Sequence, residues 1–436
     1  MRRRILILLM LFGSVAGAEN KWIGYVSDLT CGKQVDADCN RRCIKGGQPP
    51  VLILDDTDEI LSITNPDSLK HYPGQHVEVA GTRIDQQLTI DHISVLPAAG
   101  NRPAHSQTQP EFDAETVKNI NRIENSDTPI PSFKLNLLKL MQVYRVPGVS
   151  IALIDHYKIA WAKGYGVTDW TTADAVTPRT LFMAGSVAKT PAAAGALYLV
   201  EQGKLSLDED VNKTLKSWKL PDNEFTKTEK VTLRRILSHT SGTGIHFFPG
   251  YAVGQQLPSL IQVLDGAKPA NTDAIRVESI PGSGWHYSGG GVLIEQQMMI
   301  DATRKPFPEL MSQVLFNKIG MNDSTYEQPL PAARAAHAAT GTYASGKPVR
   351  GKWHVYPEMA AGGLWTTPAD LARFTIEIAL SKKGKSNRIL SQSMTEQMLT
   401  PQWKEVSEIA LGNKQHVDQM GLGFFLGDTT RPDLFG

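Results

Sequence analysis

The chain has 436 residues, enough for two or three domains, and its 41% hydrophobic content permits a sizeable core. Its charges nearly cancel to a net +1, which points away from nucleic acid or an acidic partner. At the start, Met1-Arg2-Arg3-Arg4 precedes a short apolar run from Ile5 to Phe12, and Ala16-Gly17-Ala18 supplies small residues for cleavage. This pattern predicts a secretory signal peptide over residues 1–18, cut after Ala18. The run is short for a spanning helix, and no other segment reads as one. The mature chain is therefore expected to be periplasmic or secreted, without stable membrane insertion after cleavage. Glu19, not cysteine, stands immediately after the cut, so no lipid anchor is expected.

Residues 19–97 read as a small β module. Trp22 to Val26, Val51 to Leu54, Glu59 to Thr64, Gln75 to Arg83 and Gln86 to Val95 are short, β-branched-rich and bounded by Gly, Pro and Asp. Five such strands predict a small, OB-like barrel, with a turn over 83–87. The three cysteines, Cys31, Cys39 and Cys43, all fall here. Export permits one disulfide and leaves one thiol over, with the pairing open. A zinc site with His71 or His76 would use a spacing that matches no recognised metal pattern. Residues 98–110, polar and rich in Pro, Ala, Gln and Ser, read as a linker. Helices are expected over Asp113 to Asn125 and over Ser132 to Tyr144, the second capped by Ser132. A hairpin of Val149 to Ile154 and Ile159 to Tyr165 follows.

Ser186-Val187-Ala188-Lys189 then reads as a nucleophile and its base. Residues three apart share a helix face, so the Lys189 amine can reach the Ser186 hydroxyl. A serine hydroxyl is a poor nucleophile until a neighbouring base activates it, and lysine serves once burial lowers its pKa. Ala192 to Val200 is small and apolar on all sides, so this helix is expected to be buried. Its free first-turn N–H groups suit an oxyanion site. Pro191, one turn in, predicts a tight or 3₁₀-like start.

About a hundred residues on come Trp285-His286-Tyr287-Ser288-Gly289-Gly290-Gly291. With Ser186 and Lys189 as a Ser-x-x-Lys motif and Tyr287-Ser288-Gly289 as a Tyr-Ser-x motif, the chain resembles the serine β-lactamase/penicillin-binding-protein superfamily. It is most similar to the class C-like branch, which includes esterases and D-amino-acid peptidases. Val146 to Ile154, Leu237-Ser238-His239-Thr240-Ser241-Gly242, Ile319 to Thr325 and Ala361 to Leu371 match the family in its order. The resemblance implies that Tyr287 exchanges a proton beside the nucleophile, with Ser288 and Gly289 at the substrate. Gly289 stands where many β-lactam-binding members carry asparagine, which weakens the expectation of an amide contact. It also implies an α+β fold over 111–436, an antiparallel sheet flanked by helices and closed by the chain termini.

The family's third motif, Lys-Thr-Gly or His-x-Gly, normally follows a strand like Gly421 to Leu426. Here the chain reaches Asp433-Leu434-Phe435-Gly436 at that point, so the domain is expected to be C-terminally truncated and impaired. Other candidates carry blander readings. His239 falls in a loop that is structural in the family, and Glu358 is weighed as a base or amine binder. Lys382 to Lys385 reads as a solvated loop. No Lys-Ser/Thr follows the glycines at 289–291, which excludes a P-loop, and neither Gly-x-Ser-x-Gly nor His-Glu-x-x-His occurs. No metal or cofactor is expected. The expected function is a secreted serine hydrolase forming an acyl-enzyme on an ester, amide or D-amino-acid peptide. The alternatives are a catalytically silent binding protein on the same fold, or a β-lactamase/D-Ala-D-Ala carboxypeptidase. The expected partner is a small-molecule or peptide substrate, with oligomeric state open.

Overall fold

The computed structural model describes residues 21–28, 37–45, 47–57, 59–84, 87–96, 113–125, 136–172, 174–404, 419–427 and 435–436. The chain divides into two compact units, Met1–Glu111 and Phe112–Gly436. The expected signal peptide and linker lie outside the described residues.

In the first unit, strands β1 (Lys21–Asp28), β2 (Pro50–Leu54), β3 (Ile60–Ile63), β4 (His76–Ile84) and β5 (Gln87–Val95) close a barrel in the order β1-β2-β3-β5-β4. The pairings are antiparallel except β3 with β5. Val26, Leu52, Leu54, Leu61, Val77, Val79 and Leu88 fill the interior. Strands of alternating β-branched residues place one face inward by their period of two, which is why all five were readable. Helix α1 (Ala37–Lys45) was not expected, because its sequence is mostly polar. Tertiary contacts decide it. Ile44 enters the barrel core, and buried Asn40 donates to Ser27 Oγ and Asp28 Oδ2, both at 2.9 Å. Cys31, the side chain of Cys39 and the tip of the 83–87 turn lie outside the described residues, so the expected disulfide pairing does too. His76 Nε2 lies 2.6 Å from Asp55 Oδ2, and its ring stacks on Tyr25.

The second unit starts with helices α2 (Ala114–Asn125) and α3 (Leu137–Val143). Asn136 caps α3, its side chain accepting from the Lys139 N–H, whereas the expected cap Ser132 lies outside the described residues. Strands β6 (Gly148–Asp155) and β7 (Lys158–Gly166) form the expected hairpin, covered by the Pro368–Lys382 helix. At the centre runs helix α4 (Lys189–Glu201), whose Ala192, Ala193, Ala194, Ala196, Leu197 and Leu199 are buried. The Gly289–Thr303 helix packs against it with Val292, Leu293, Ile294, Met298 and Met299 buried. Each fully buried leucine or isoleucine contributes about 1.5–3 kcal/mol, so this helical core is the main apolar store of the unit.

The Gly421 to Leu426 segment departs from expectation. Only Phe425–Leu426 is strand, paired with Gln419–Met420 and bridged to Phe435, and not with β6. The reason is local. Gly423 turns with φ +79°, and a Cβ there would lie 2.4 Å from Ala193 Cβ. Its carbonyl accepts from Thr190 Oγ1 at 2.8 Å, so the segment docks on α4 instead of running straight along a sheet. Among the described residues, no helix is long and apolar enough to cross a membrane.

Candidate active site

A 3₁₀ turn over Gly185–Ala188 runs directly into α4, the tight start that Pro191 implied. Gly185 has φ +54°, a left-handed conformation that glycine takes without strain. The turn leaves Ser186 exposed at its surface and drops Lys189 into the core, 8% exposed. Lys189 Nζ donates to Ser186 Oγ at 3.1 Å and to the Ala361 carbonyl at 2.6 Å. Tyr287 stands beside them, its hydroxyl influenced by Ser186 and its ring centroid 5.0 Å from Lys189 Nζ. Thus the three residues singled out in the sequence meet around one hydroxyl.

Burial sets the electrostatics. It pushes the Lys189 pKa down to about 8, against an opposing pull from the Glu295 carboxylate. Roughly a tenth of the amine is therefore neutral at pH 7, with a lone pair to accept a proton. Burial also raises the Tyr287 phenol, with the Ser186 hydrogen bond acting the other way. His239 is buried and held neutral, its pKa pushed down to about 3 by burial, then by Lys189 and His246. Its ring packs against Tyr287 with centroids 4.4 Å apart, while Nδ1 accepts from the Ser288 N–H at 3.2 Å. His239 is a platform for Tyr287, in keeping with its structural reading.

Ser288 and Gly289, expected at the substrate, divide. The Ser288 hydroxyl is buried and committed to the fold, accepting from the Gly291 N–H and donating to the Gly244 carbonyl, each at 2.9 Å. It caps the Gly289–Thr303 helix, and hydroxyls at that position satisfy otherwise unpaired N–H groups. Gly289 does line the cavity beside Ser186. A side chain there would meet the His246 carbonyl at 3.0 Å and the Phe248 ring at 3.1 Å. A Cβ on Gly290 would sit 2.4 Å from the Gly244 carbonyl oxygen. The triple glycine lets this helix start press onto the 244–248 loop, where Gly289 and Gly290 donate to the His246 and Ile245 carbonyls.

Ser186 and Lys189 open onto a cavity of about 210 Å³ walled by Met183, Phe247, Phe248, Tyr356 and Gly362. A second hollow of about 430 Å³ lies along Tyr287, bounded by His246, Glu278, Trp285 and His286. Glu358 reaches neither. It is 0% exposed, its two carboxyl oxygens have no partner on another residue, and burial raises its pKa to about 7. That position contradicts a role as a substrate-facing base or amine binder.

Glu295 and Gln296 escaped sequence reasoning. Glu295 is 1% exposed, and its Oε1 has no hydrogen-bond partner. Burial raises its pKa and the Lys189 charge opposes the rise. The available signal was Glu295-Gln296-Gln297, a polar trio inside an otherwise apolar helix. Among the described residues no group of three His, Cys, Asp or Glu side chains is arranged to hold a metal ion.

Comparison with known proteins agrees with this geometry. A Beta-lactamase family model matches residues 134–436. The chain is 27% identical over 238 residues to a Beta-lactamase of Pseudomonas fluorescens, covering 54% of this chain and 60% of that protein. It is 28% identical over 237 residues to Penicillin-binding protein 4 of Amycolatopsis lactamdurans, covering 53% and 59%. The match thus spans less than two thirds of either relative. Among solved structures, D-alanine Carboxypeptidase AmpC from Burkholderia cenocepacia superposes with a TM-score of 0.50 at 28% identity, over 66% of this chain and 71% of that one. A Beta-Lactamase/D-Alanine Carboxypeptidase from Pseudomonas syringae, at 23% identity and TM-score 0.51, covers 67% and 73% and shares the fold. With a family model spanning most of its length and an exposed serine bonded to a buried lysine at the head of α4, the chain belongs to the beta-lactamase family.

Proposed function

We propose that this protein is a serine hydrolase that acts through an acyl-enzyme on an ester, amide or D-amino-acid peptide. The observation that carries the proposal is the 3.1 Å bond from buried Lys189 Nζ to exposed Ser186 Oγ at the mouth of a cavity. Ser186 Oγ attacks the acyl carbonyl carbon, and its proton passes to neutral Lys189 Nζ, directly or through Tyr287, whose hydroxyl takes it while giving its own proton to Lys189. That proton then goes to the departing alcohol or amine, and water, activated by the same groups, releases the acid. The Ser186 N–H, at the first turn, serves as one oxyanion donor. The start of the chain supports an exported enzyme. The strand order of the barrel, with its parallel β3–β5 closure, supports an OB-type accessory module.

A β-lactamase or D-alanyl carboxypeptidase activity is the second reading, favoured by the names of the relatives. The space beside Gly289, taken by the His246 carbonyl and the Phe248 ring, weighs against the amide contact such substrates use in many family members.

The test is mass spectrometry after treatment with a fluorophosphonate and with a cephalosporin. Wild type should gain one adduct on Ser186, and Ser186→Ala should gain none, with turnover reduced by roughly 10³-fold or more. A label retained by Ser186→Ala would refute the assignment, and an unlabelled wild type would favour a silent binding protein. Parallel assays with a nitrophenyl ester, a D-alanyl peptide and the cephalosporin separate the substrate classes.

A further inference from the structure

We propose that Gln296 is a positioning residue for the Lys189 amine: it holds the turn whose Ala361 carbonyl orients Nζ toward Ser186. The inference rests on the Ser186–Lys189 assignment. Lys189 Nζ has two partners, Ser186 Oγ and the Ala361 carbonyl, and the carbonyl contact is the shorter at 2.6 Å. With one N–H anchored on Ala361, the remaining positions on nitrogen are aimed at Ser186 for either an N–H or a lone pair. The quality of that aim depends on where the Ala361 carbonyl sits.

Ala361 belongs to the short Met359–Gly362 turn, whose few backbone bonds, from Ala361 and Gly362 to Glu358 and from Gly363 to Met359, make a helix too short to be stable without outside support. Two glutamine side chains brace it. Gln296 accepts from the Ala360 N–H at 2.8 Å and reaches the Pro357 carbonyl at 3.4 Å. Gln328 accepts from the Tyr356 N–H at 3.2 Å and donates to the Gly363 carbonyl at 2.8 Å. Gln296 is the inner brace. It is 2% exposed and grips the residue next to Ala361. It also rides on the Gly289–Thr303 helix, whose lead-in carries Tyr287. One rigid helix thereby sets Tyr287 through its first turn and Lys189 through Gln296 and the Ala361 carbonyl. An amide suits this task, since it offers a donor and an acceptor without a charge that would perturb Lys189.

The groups facing Lys189 are Ser186 from its own turn, Tyr287, His239 from the 237–242 loop and Glu295 from the Gly289–Thr303 helix. Apart from Ser186 Oγ, none of them accepts a hydrogen bond from Nζ among the described contacts, so the Ala361 carbonyl is its fixed backbone acceptor. A hydrogen bond to the charged form favours it, so a displaced carbonyl lowers the Lys189 pKa.

The experiment titrates the ¹³Cε resonance of Lys189 in the full-length chain, identified by its loss in Lys189→Arg. Gln296→Leu should move the midpoint down by roughly one unit. Gln296→Glu keeps an acceptor for Ala360 and should leave it at or above the wild-type value. Kinetically, Gln296→Leu should lower kcat about 10- to 100-fold with KM little changed, its pH limb moving down with the resonance. A folded Gln296→Leu with a wild-type Lys189 midpoint would overturn the proposal, as would equal shifts in both variants. If Gln296→Leu does not fold, a Gln296→Glu midpoint below wild type overturns it, and one at or above supports it. The resonance reports whether or not Ser186 is the nucleophile, so failure of the fluorophosphonate assay and failure of this inference are told apart.

Discussion

The chemistry of the site depends on how far each ionisable group is taken from water. Ser186 stays exposed, Lys189 is buried three residues later, and a one-turn 3₁₀ segment achieves both. Glu295 lies in the same core with an unbonded oxygen; burial raises its pKa to about 8, and where it ionises its carboxylate attracts the Lys189 ammonium. Removing that carboxylate leaves burial, which disfavours the charged lysine, unopposed. Glu295→Gln should therefore move the Lys189-dependent limb of the fluorophosphonate labelling rate to lower pH, by up to about one unit. An unmoved or rising limb would show that Glu295 does not act on Lys189. Ser186, Lys189 and Tyr287 could be read from the chain because each sits in a short motif with its own chemistry. Glu295 and Gln296 could not, since their roles arise only when one helix packs on another far along the chain.

At the scale of elements, the Gly289–Thr303 helix joins the site to the core. Its first turn is tied to the 243–246 loop by the Ser288 cap and by N–H groups of Gly289 and Gly290. Alanine at position 290 would gain up to about 1 kcal/mol of helix propensity over glycine. Its Cβ would lie 2.4 Å from the Gly244 carbonyl oxygen, and overpacking against backbone costs about 1–3 kcal/mol. The clash wins, so Gly290→Ala should lower stability by about 1–2 kcal/mol, measured by denaturant melts. It should also reduce labelling of Ser186, because Tyr287 immediately precedes this helix. A stabilised, fully reactive Gly290→Ala would show that the loop moves aside without cost. The sequence marked these glycines as unusual but not their use. That depends on a backbone carbonyl brought in from a separate loop.

Across the whole molecule, buried ionisable groups shape stability against pH. Glu358 has a folded pKa near 7, above its unfolded value of 4.5, because burial penalises the carboxylate. A group raised in this way stabilises the fold fully below pH 4.5, and that contribution is lost as pH rises through about 7. His239 acts in the opposite sense, since its pKa falls from 6.5 to about 3 and the unfolded chain takes up the proton first on acidification. The two overlap, so the difference between wild type and Glu358→Gln isolates the carboxyl. Glu358→Gln should gain stability relative to wild type as pH rises from 4.5 to 7, read as a growing difference in Tm. A constant difference across that window would refute the buried-carboxyl account.

The sequence by itself determined the five barrel strands, the β6–β7 hairpin, the buried helix α4 and the Ser186, Lys189 and Tyr287 candidates. Each is carried by a local signal, whether a period of two, an apolar stretch or a spaced motif. Tertiary structure alone decided helix α1, whose polar sequence is held by Asn40 and Ile44 on the barrel. It also made Ser288 a helix cap with no hydroxyl to spare, folded the Gly421 to Leu426 segment onto α4, and buried Glu358 out of reach of the cavity. These outcomes turn on which carbonyl, methyl or carboxyl a distant segment brings within a few ångströms. Such proximity is a property of packing, which local periodicity does not encode.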